Sequence, residues 1–300
     1  MPERTIRRAD DPETRAKVFE IGRVTWDASS DPSQFLARML ACPRRHRATG
    51  WLVEEEGRPV AGLLAYPLTF SSADGTAIDG VGLGAVATMP ENRKRGHADA
   101  LCRKVLEDAE QRGAPLALLF SEIKPEYYAR MGFEIAAGWE HLCTDLPGLA
   151  ASTEAAPWQP LDPRTNLESI GDLYARDHAG NLHLRRDAEG WKHSLARNSN
   201  VLWLGLGDPL VGYARVSVEE HDFYFSELML REAAPEAFAA ALAGLAKTAL
   251  LWRCSRITCW LPPSQVPAPW FREESRGKTL PMVRGTDEGP LLRVWGSDYF

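Results

Sequence analysis

The chain has 300 residues, which is enough for two domains of ordinary size. Its 41 acidic and 35 basic residues leave a net charge of −6, which argues against a general nucleic-acid binder, because phosphate contacts need a basic surplus. No apolar run approaches the roughly 20 residues of a membrane helix, and no apolar stretch follows the basic N-terminus, so neither a membrane span nor a secretory signal is predicted.

The hydrophobic pattern of the first half alternates between periods of two and of about 3.6 residues. The predicted elements are hairpin strands at 51–55 and 59–66, a strand at 81–88, an amphipathic helix from 96 to 112, a strand at 116–121 and a short helix opened by Pro125. Gly113 with Pro115 beyond it predicts the end of the long helix. Strands that alternate with helices indicate an α/β chain.

A change of composition separates two halves. Residues 146–163 are rich in proline, alanine and small polar residues without periodicity, so we predict domains at 1–147 and 164–300 with a linker at 148–163. The second half then predicts a strand at 223–230, a helix opened by Pro235 and a strand at 256–261. The order matches that of the first half about 140 residues earlier. Any α/β chain contains such units, so the pattern leaves both an internal repeat and coincidence open.

The most informative stretch is VATMPENRKRGHADALCRKVL, residues 86–106, in which a strand, a basic turn and a helix follow one another. The first turn of a helix leaves backbone N–H groups unpaired and carries a partial positive charge. The basic run of residues 93–95 precedes this turn, and Gly96 permits close approach of the backbone. We therefore expect a site for a diphosphate-like anion; the alternative is a solvated basic helix start.

Two other phosphate-binding patterns do not fit. A P-loop would need Gly-Lys-Ser/Thr after the first glycine, and none is present. The glycine-rich run GVGLGA at residues 80–85 continues into a strand, whereas a dinucleotide fingerprint requires a helix there. Its glycines instead predict a bulge or a close approach by another backbone.

Two short motifs in this region resemble a known family. Arg93-x-x-Gly96-x-Ala98 after one strand and Tyr128-x-x-x-Gly132-Phe133 after the next resemble the acetyl-CoA site of the GNAT N-acetyltransferases. The resemblance covers roughly residues 5–145 and extends loosely to the second half. It implies an α/β (α+β) fold of two GNAT-like domains, each a mixed, mainly antiparallel sheet flanked by helices.

The resemblance also implies a role for particular residues. The strand end would pair with the pantetheine arm, the loop would hold the diphosphate, and the next strand would end beside the thioester. The residues concerned are Val86, Ala87 and Thr88; Arg93, Lys94, Arg95, Gly96, His97 and Ala98; and Ser121. The side chain of His97 is expected to face solvent or the cofactor rather than act as a base.

Tyr128 occupies the position at which many relatives keep the acid that protonates the departing thiolate. A thiol has an ordinary pKa of about 8.5 and a tyrosine of about 10, so a neutral phenol is well matched to this proton transfer. The alternative is an aromatic residue packed beside Phe133 and Tyr127.

The general base is not evident, because the strand GLGAVAT contains no carboxylate. Glu122 is one candidate. The tandem arrangement, with Ser-Glu after the strand and an aromatic C-terminus, is similar to the enhanced intracellular survival acetyltransferases, whose C-terminal carboxylate is the base; this resemblance makes the carboxylate of Phe300 the second candidate. The 300 residues are not expected to include that group's third, sterol-carrier-like region. LFSEIKPEYYARMGF also resembles the fungal lysine acetyltransferases.

The loop of the second half that corresponds to the anion site reads REAAPE, residues 231–236, and has two carboxylates and a proline but no glycine. An anion would be repelled there and poorly hydrogen-bonded. We therefore expect a degenerate second domain that shapes the substrate pocket, with the tail at 281–300 returning a strand to the first domain.

The resulting prediction is an N-acetyltransferase that passes acetyl from acetyl-CoA directly to a primary amine of a small molecule, without a metal. Trp26 lies where relatives cover the acceptor pocket. His178, His183 and His193 match no standard metal-ligand spacing.

Five scattered cysteines without a Cys-x-x-Cys pair favour a cytoplasmic setting. No nucleic acid or membrane partner is expected, a homo-oligomer is left open, and the alternatives are a non-enzymatic acyl-CoA-binding module and a tRNA-dependent aminoacyl transferase.

Overall fold

The computed structural model describes residues 4–196, 200–232, 234–261, 269–286, 292–295 and 298. The helices are α1 (Pro12–Trp26), α2 (Pro32–Ala41), α3 (Pro43–Arg47), α4 (His97–Gln111), α5 (Glu126–Ala129), α6 (Leu146–Ala151), α7 (Leu167–His178), α8 (Ala188–Ala196) and α9 (Pro235–Leu251). The strands are β1 (Arg4–Ala9), β2 (Thr49–Glu55), β3 (Arg58–Ser71), β4 (Ala77–Thr88), β5 (Leu116–Ser121), β6 (Glu134–Ile135), β7 (Trp139–Cys143), β8 (Gln159–Pro160), β9 (Leu182–Leu184), β10 (Val201–Leu206), β11 (Gly212–Glu219), β12 (Asp222–Leu230), β13 (Arg256–Cys259), β14 (Arg272–Ser275), β15 (Leu280–Arg284) and β16 (Leu292–Arg293). Within these residues, no helix is both long and apolar enough to cross a bilayer.

Two mixed sheets share one pattern of strand pairing. The first has the order β1-β2-β3-β4-β5-β15-β6 and the second the order β14-β7-β13-β12-β11-β10-β8. In each path one pair is parallel, β4 with β5 and β12 with β13, and the other pairs are antiparallel. A parallel pair needs a crossover, and α4 and α9 supply it, so the predicted fold of two mixed sheets with helices is confirmed.

The two halves exchange strands. β7 pairs with β13 and β14 of the second sheet, although it lies within residues 1–147, and β15 from the tail pairs with β5 and β6 of the first sheet. The expected return of a tail strand to the first domain is therefore confirmed. The division of the chain into two domains at residues 147 and 164 stays a prediction.

The segment predicted as a linker, 148–163, is folded onto the second sheet. Its helix α6 is capped by the Asp145 carboxylate, which accepts from the Gly148 N–H at 2.9 Å, and it packs against α9. The buried Trp158 indole donates to the Ala241 carbonyl at 2.9 Å, and β8 pairs with β10. A helix of six residues is too short to produce a visible hydrophobic period, which is why composition alone suggested a linker.

The first sheet is covered on both faces, and strand alternation decides which residues face each cover. Leu52 and Leu64 belong to the core with α1 and α2, whereas their neighbours Val53 and Leu63 belong to the core with α4. Successive side chains of a strand point to opposite faces, so β2 and β3 contribute to both cores at once. This arrangement leaves the end of β4 between α1 and α4.

The glycine-rich part of β4 permits a close approach, as predicted. A Cβ atom at Gly80 would lie 2.5 Å from Cε2 of Phe70 and 2.7 Å from the Leu116 carbonyl oxygen, which belong to the neighbouring strands β3 and β5. The predicted bulge is also present, because the register of β3 with β4 shifts between Gly62 and Leu64 and Ala85 has a φ of 51°.

We predict that Gly80→Ala lowers the free energy of unfolding by about 1–3 kcal/mol, because the added methyl group overpacks a site bounded by a ring and a backbone carbonyl. Gly171→Ala in α7 is the matched control, since its nearest non-neighbour atom is 3.9 Å from the new Cβ. Chemical denaturation of both variants measures the difference. Equal stability of the two variants would contradict the close packing of β3, β4 and β5.

Candidate functional site

A cavity of about 1630 Å³ opens where the end of β4 lies between the first two helices and the start of α4. Its walls come from α1, α2, the residues around α3, the second half of β4, the turn before α4, α5 and the end of α8. The predicted site residues on its walls are Trp26, Val86, Ala87, Thr88, Arg93, Lys94, Gly96, His97, Ala98, Glu122 and Tyr128. The fold therefore brings most of the predicted site into one space.

One wall is an unpaired edge of β4. The parallel pairing of β4 with β5 ends at Leu83 and Leu119, and the bulge at Ala85 follows at once. Beyond it, β4 keeps its pairing with β3 through Thr88, but within the described residues no strand pairs with its other edge. The backbone of residues 84–88 therefore faces the cavity with hydrogen-bonding capacity to spare.

A second wall is the start of α4. Gly96 precedes the helix in the left-handed conformation, with φ of 79°, and Lys94 is also left-handed, with φ of 65°. The first-turn N–H groups of a helix have no intrahelical partner, and at this end no side chain caps them. Successive N–H groups in such a turn form a concave anion site, which fits the predicted role of the loop.

The basic side chains of the turn differ in direction. Arg93 folds back along β4 and its Nε donates to the Thr88 carbonyl at 3.3 Å. Nη1 of Arg95 lies 3.5 Å from Oε2 of Glu55, and Arg95 is not among the residues that line the cavity. Lys94 lines the cavity.

The side chain of His97 was expected to face solvent or the cofactor; its burial contradicts the first alternative, and the second stays a prediction. The residue is 2 % exposed, and its Nε2 lies 3.3 Å from Oε1 of Glu55 at the end of β2. Burial lowers the pKa of His97, and Glu55 opposes this shift in part. The first helical turn of α4 therefore packs against β2 of the hairpin through the imidazole.

Tyr128 lies in α5 and is both packed and open to the cavity. It is 7 % exposed, and its ring makes edge contacts with Tyr127 and Phe133 at centroid distances of 5.0 and 6.1 Å. Burial raises the pKa of Tyr128 well above its ordinary value, so the phenol stays neutral. In the described part of the chain its hydroxyl makes no hydrogen bond. The packing alternative and the proton-donor role are thus compatible.

Ser121, the last residue of β5, and Glu122, which follows it, have different surroundings. Ser121 is 1 % exposed, is not among the residues that line the cavity, and its hydroxyl donates to the Ile123 carbonyl at 2.8 Å. Glu122 is half-buried and lines the cavity, and its Oε1 accepts from the Thr279 hydroxyl at 2.9 Å. Phe300, the other candidate base, lies outside the described residues.

The far end of the cavity contains residues that the motifs did not identify. They are Phe35, Arg38 and Met39 of α2, Cys42 and Arg45 near α3, and His193 of α8. Trp26, predicted for this region, is 56 % exposed at the wall of the cavity. The spacing of 35, 38 and 39 would have indicated one face of a helix. No sequence signal links His193 to Cys42, yet its Nδ1 lies 3.7 Å from the thiol sulfur.

The equivalent loop of the second half differs from the turn before α4. Its described residues line none of the three cavities described for this chain, and α9 begins with Pro235, which has no N–H to donate. Across the described residues, no group of three or more histidine, cysteine, aspartate or glutamate side chains could hold a metal ion.

Comparison with known proteins gives a consistent picture. Residues 6–136 match a family model described as Acetyltransferase (GNAT) domain. A search of curated proteins finds no significant match. For residues 6–136, this match confirms the GNAT resemblance and the prediction of an acyltransferase.

Solved structures share the fold of nearly the whole chain. A conserved protein of Enterococcus faecalis V583, described as a probable N-acyltransferase, aligns with a TM-score of 0.76 at 15 % identity and covers 94 % of this chain and 72 % of its own. A GCN5-related N-acetyltransferase from Kribbella flavida aligns with a TM-score of 0.70 at 17 % identity, and the alignment covers 93 % of this chain and 71 % of that one. Eis1 from Mycobacterium abscessus aligns with a TM-score of 0.64 at 18 % identity, and the alignment covers 94 % of this chain and 73 % of that one. These likenesses show a common fold.

Proposed function

The chain carries a GNAT acetyltransferase domain at residues 6–136, and from that premise we propose that it transfers an acetyl group from acetyl-CoA to a primary amine of a small molecule. The acceptor and the thioester meet in the cavity beside Tyr128. The amine attacks the thioester directly, without a covalent enzyme intermediate.

The observation that carries this proposal is the meeting of three features in one cavity: the open edge of β4, the uncapped start of α4 and the neutral phenol of Tyr128. Coenzyme A has an amide-containing arm and a diphosphate. An open strand edge is suited to the amides, and a helix N-terminus is suited to the diphosphate. The acetyl group of a molecule held at both places would lie farther into the cavity.

The chemistry requires one proton to leave the amine and one to reach the sulfur. The neutral amine nitrogen bonds to the carbonyl carbon, and the tetrahedral intermediate collapses as the carbon–sulfur bond breaks. Tyr128 gives its hydroxyl proton to the departing thiolate and recovers one from solvent or product. Because burial raises its pKa, Tyr128 holds this proton throughout the neutral range.

Glu122 is our candidate for the base that takes the proton from the acceptor ammonium group. It lies on the cavity wall, and the hydrogen bond from Thr279 fixes one carboxylate oxygen and leaves the other available. Thr279 directly precedes β15, so the second half of the chain would help to orient this group. The carboxylate of Phe300 is the alternative base.

We predict that Tyr128→Phe lowers kcat for thiol release from acetyl-CoA by about 10²–10⁴-fold, because the ring is kept and only the proton donor is lost. Binding of acetyl-CoA should be unchanged. Tyr127→Phe is the matched control and should retain the rate. In the wild type, ionisation of Tyr128 should cause no loss of rate up to its ordinary pKa, about pH 10. An active Tyr128→Phe enzyme would remove the residue from the mechanism, and silence of the wild type across a broad amine panel would favour a binding module.

We predict that Glu122→Gln lowers kcat by about 10²-fold or more, since glutamine can still accept the Thr279 hydrogen bond but cannot take a proton. Thr279→Val is the companion variant, because it removes the orienting hydrogen bond and leaves the carboxylate. It should reduce the rate less. Thiol release measured from pH 6 to 9 compares them. A Glu122→Gln enzyme with the wild-type rate and pH profile would show that Glu122 is not the base. A semisynthetic protein in which an amide replaces the C-terminal carboxylate of Phe300 would then test that carboxylate as the base.

A further inference from the structure

The charges on the cavity walls are unequal. Among the described lining residues the cations are Arg38, Arg45, Arg93, Lys94, Arg103 and Arg130, and the carboxylates are Asp99 and Glu122. Four of the cations belong to the turn before α4, to α4 itself or to the end of α5, where the phosphates of coenzyme A would lie. The other two are at the opposite end, on α2 and α3, where the acceptor would enter.

Arg45 and Arg38 are in different electrostatic situations. The Arg38 guanidinium lies 2.8 Å from Oδ2 of Asp27 and also donates to the Ser30 hydroxyl at 3.0 Å, so its charge is already compensated. Within the described residues, the Arg45 guanidinium has no ion pair or hydrogen bond. The main-chain carbonyl of Arg45 accepts from the Arg15 side chain, which anchors the backbone of α3 and leaves the guanidinium free.

The surroundings of Arg45 limit what it can bind. The acceptor end of the cavity also has apolar and aromatic side chains on its walls, among them Phe19, Phe35 and Met39. A cation with no partner beside apolar surface favours an anion as its ligand, because the pair is poorly screened there. A polyamine or another polycation would instead meet a like charge at this end.

We propose that the acceptor is an amine that also carries an anionic group, a carboxylate or a phosphate, which the Arg45 guanidinium binds. This rests on the proposed function and specifies its substrate class. Arg45 acts as the specificity determinant, and the apolar walls contact the frame between the amine and the anion. The net charge of −6 of the whole chain does not describe the charge of this pocket.

Cys42 provides a readout of acceptor binding that does not depend on catalysis. It lines the same end of the cavity, three residues before Arg45, and it is half-buried, whereas the other four cysteines are buried. Alkylation by iodoacetamide, followed by mass spectrometry, should therefore modify Cys42 first. A bound acceptor should slow that reaction.

The test compares matched probes: phenylalanine with 2-phenylethylamine, and O-phosphoethanolamine with ethanolamine. In at least one pair, we expect the member that carries the carboxylate or phosphate to protect Cys42 at a concentration at least about tenfold lower than the amine that lacks this group, the effect of one charge-assisted contact. The pair that shows the difference identifies the anion as carboxylate or phosphate.

Arg45→Gln should abolish that difference and leave the KM for acetyl-CoA unchanged. Arg47→Gln is the matched control from the same helix, because its guanidinium pairs with Asp187 and does not line this cavity. The inference would be overturned if both members of each pair protected Cys42 equally or if no probe protected it. It would also be overturned if Arg45→Gln kept the wild-type pattern of protection or raised the KM for acetyl-CoA. If protection follows the expected pattern but no amine supports thiol release, the proposed transfer fails instead.

Discussion

Everything at this site depends on backbone groups that the sheet and the helix leave unpaired. β4 loses β5 as a neighbour after Leu83, while α4 begins at an uncapped turn after Gly96. Unpaired backbone donors and acceptors retain a strong demand for partners, which water or a ligand must meet. A ligand with amides along one part and a diphosphate at another can meet both demands together. The side chains of the cavity then decide what reacts with it.

The two halves share one strand order, and the start of the central helix distinguishes them. In the first half, Gly96 precedes α4 in the left-handed conformation and no side chain caps the first-turn N–H groups. In the second half, α9 begins with Pro235, which has no N–H group. Strand exchange joins the second half to the first. Its strand β15 pairs within the first sheet, its Thr279 hydrogen-bonds Glu122, and its His193 lines the far end of the cavity.

Local chemistry made part of this structure predictable from the sequence. The hairpin, α4, its glycine turn and the short helix with Tyr128 all follow from periodicity and from residues that permit particular backbone angles. The return of a tail strand, β15, to the first sheet was also expected, whereas the pairing of β7 with the second sheet was not, because strand partners far apart in the chain leave no local signal. The buried position of His97 depends on Glu55 of another element, and Arg45 and His193 meet at one cavity only through the tertiary fold.

The most direct measurement is a crystal structure of the chain with coenzyme A. The account predicts diphosphate oxygens about 2.7–3.2 Å from main-chain nitrogens between residues 94 and 99, with the pantetheine arm along residues 84–88 of β4. The sulfur should then lie on the Tyr128 side of the cavity. A diphosphate bound elsewhere, or one held by side chains alone with the first turn of α4 unoccupied, would contradict the account.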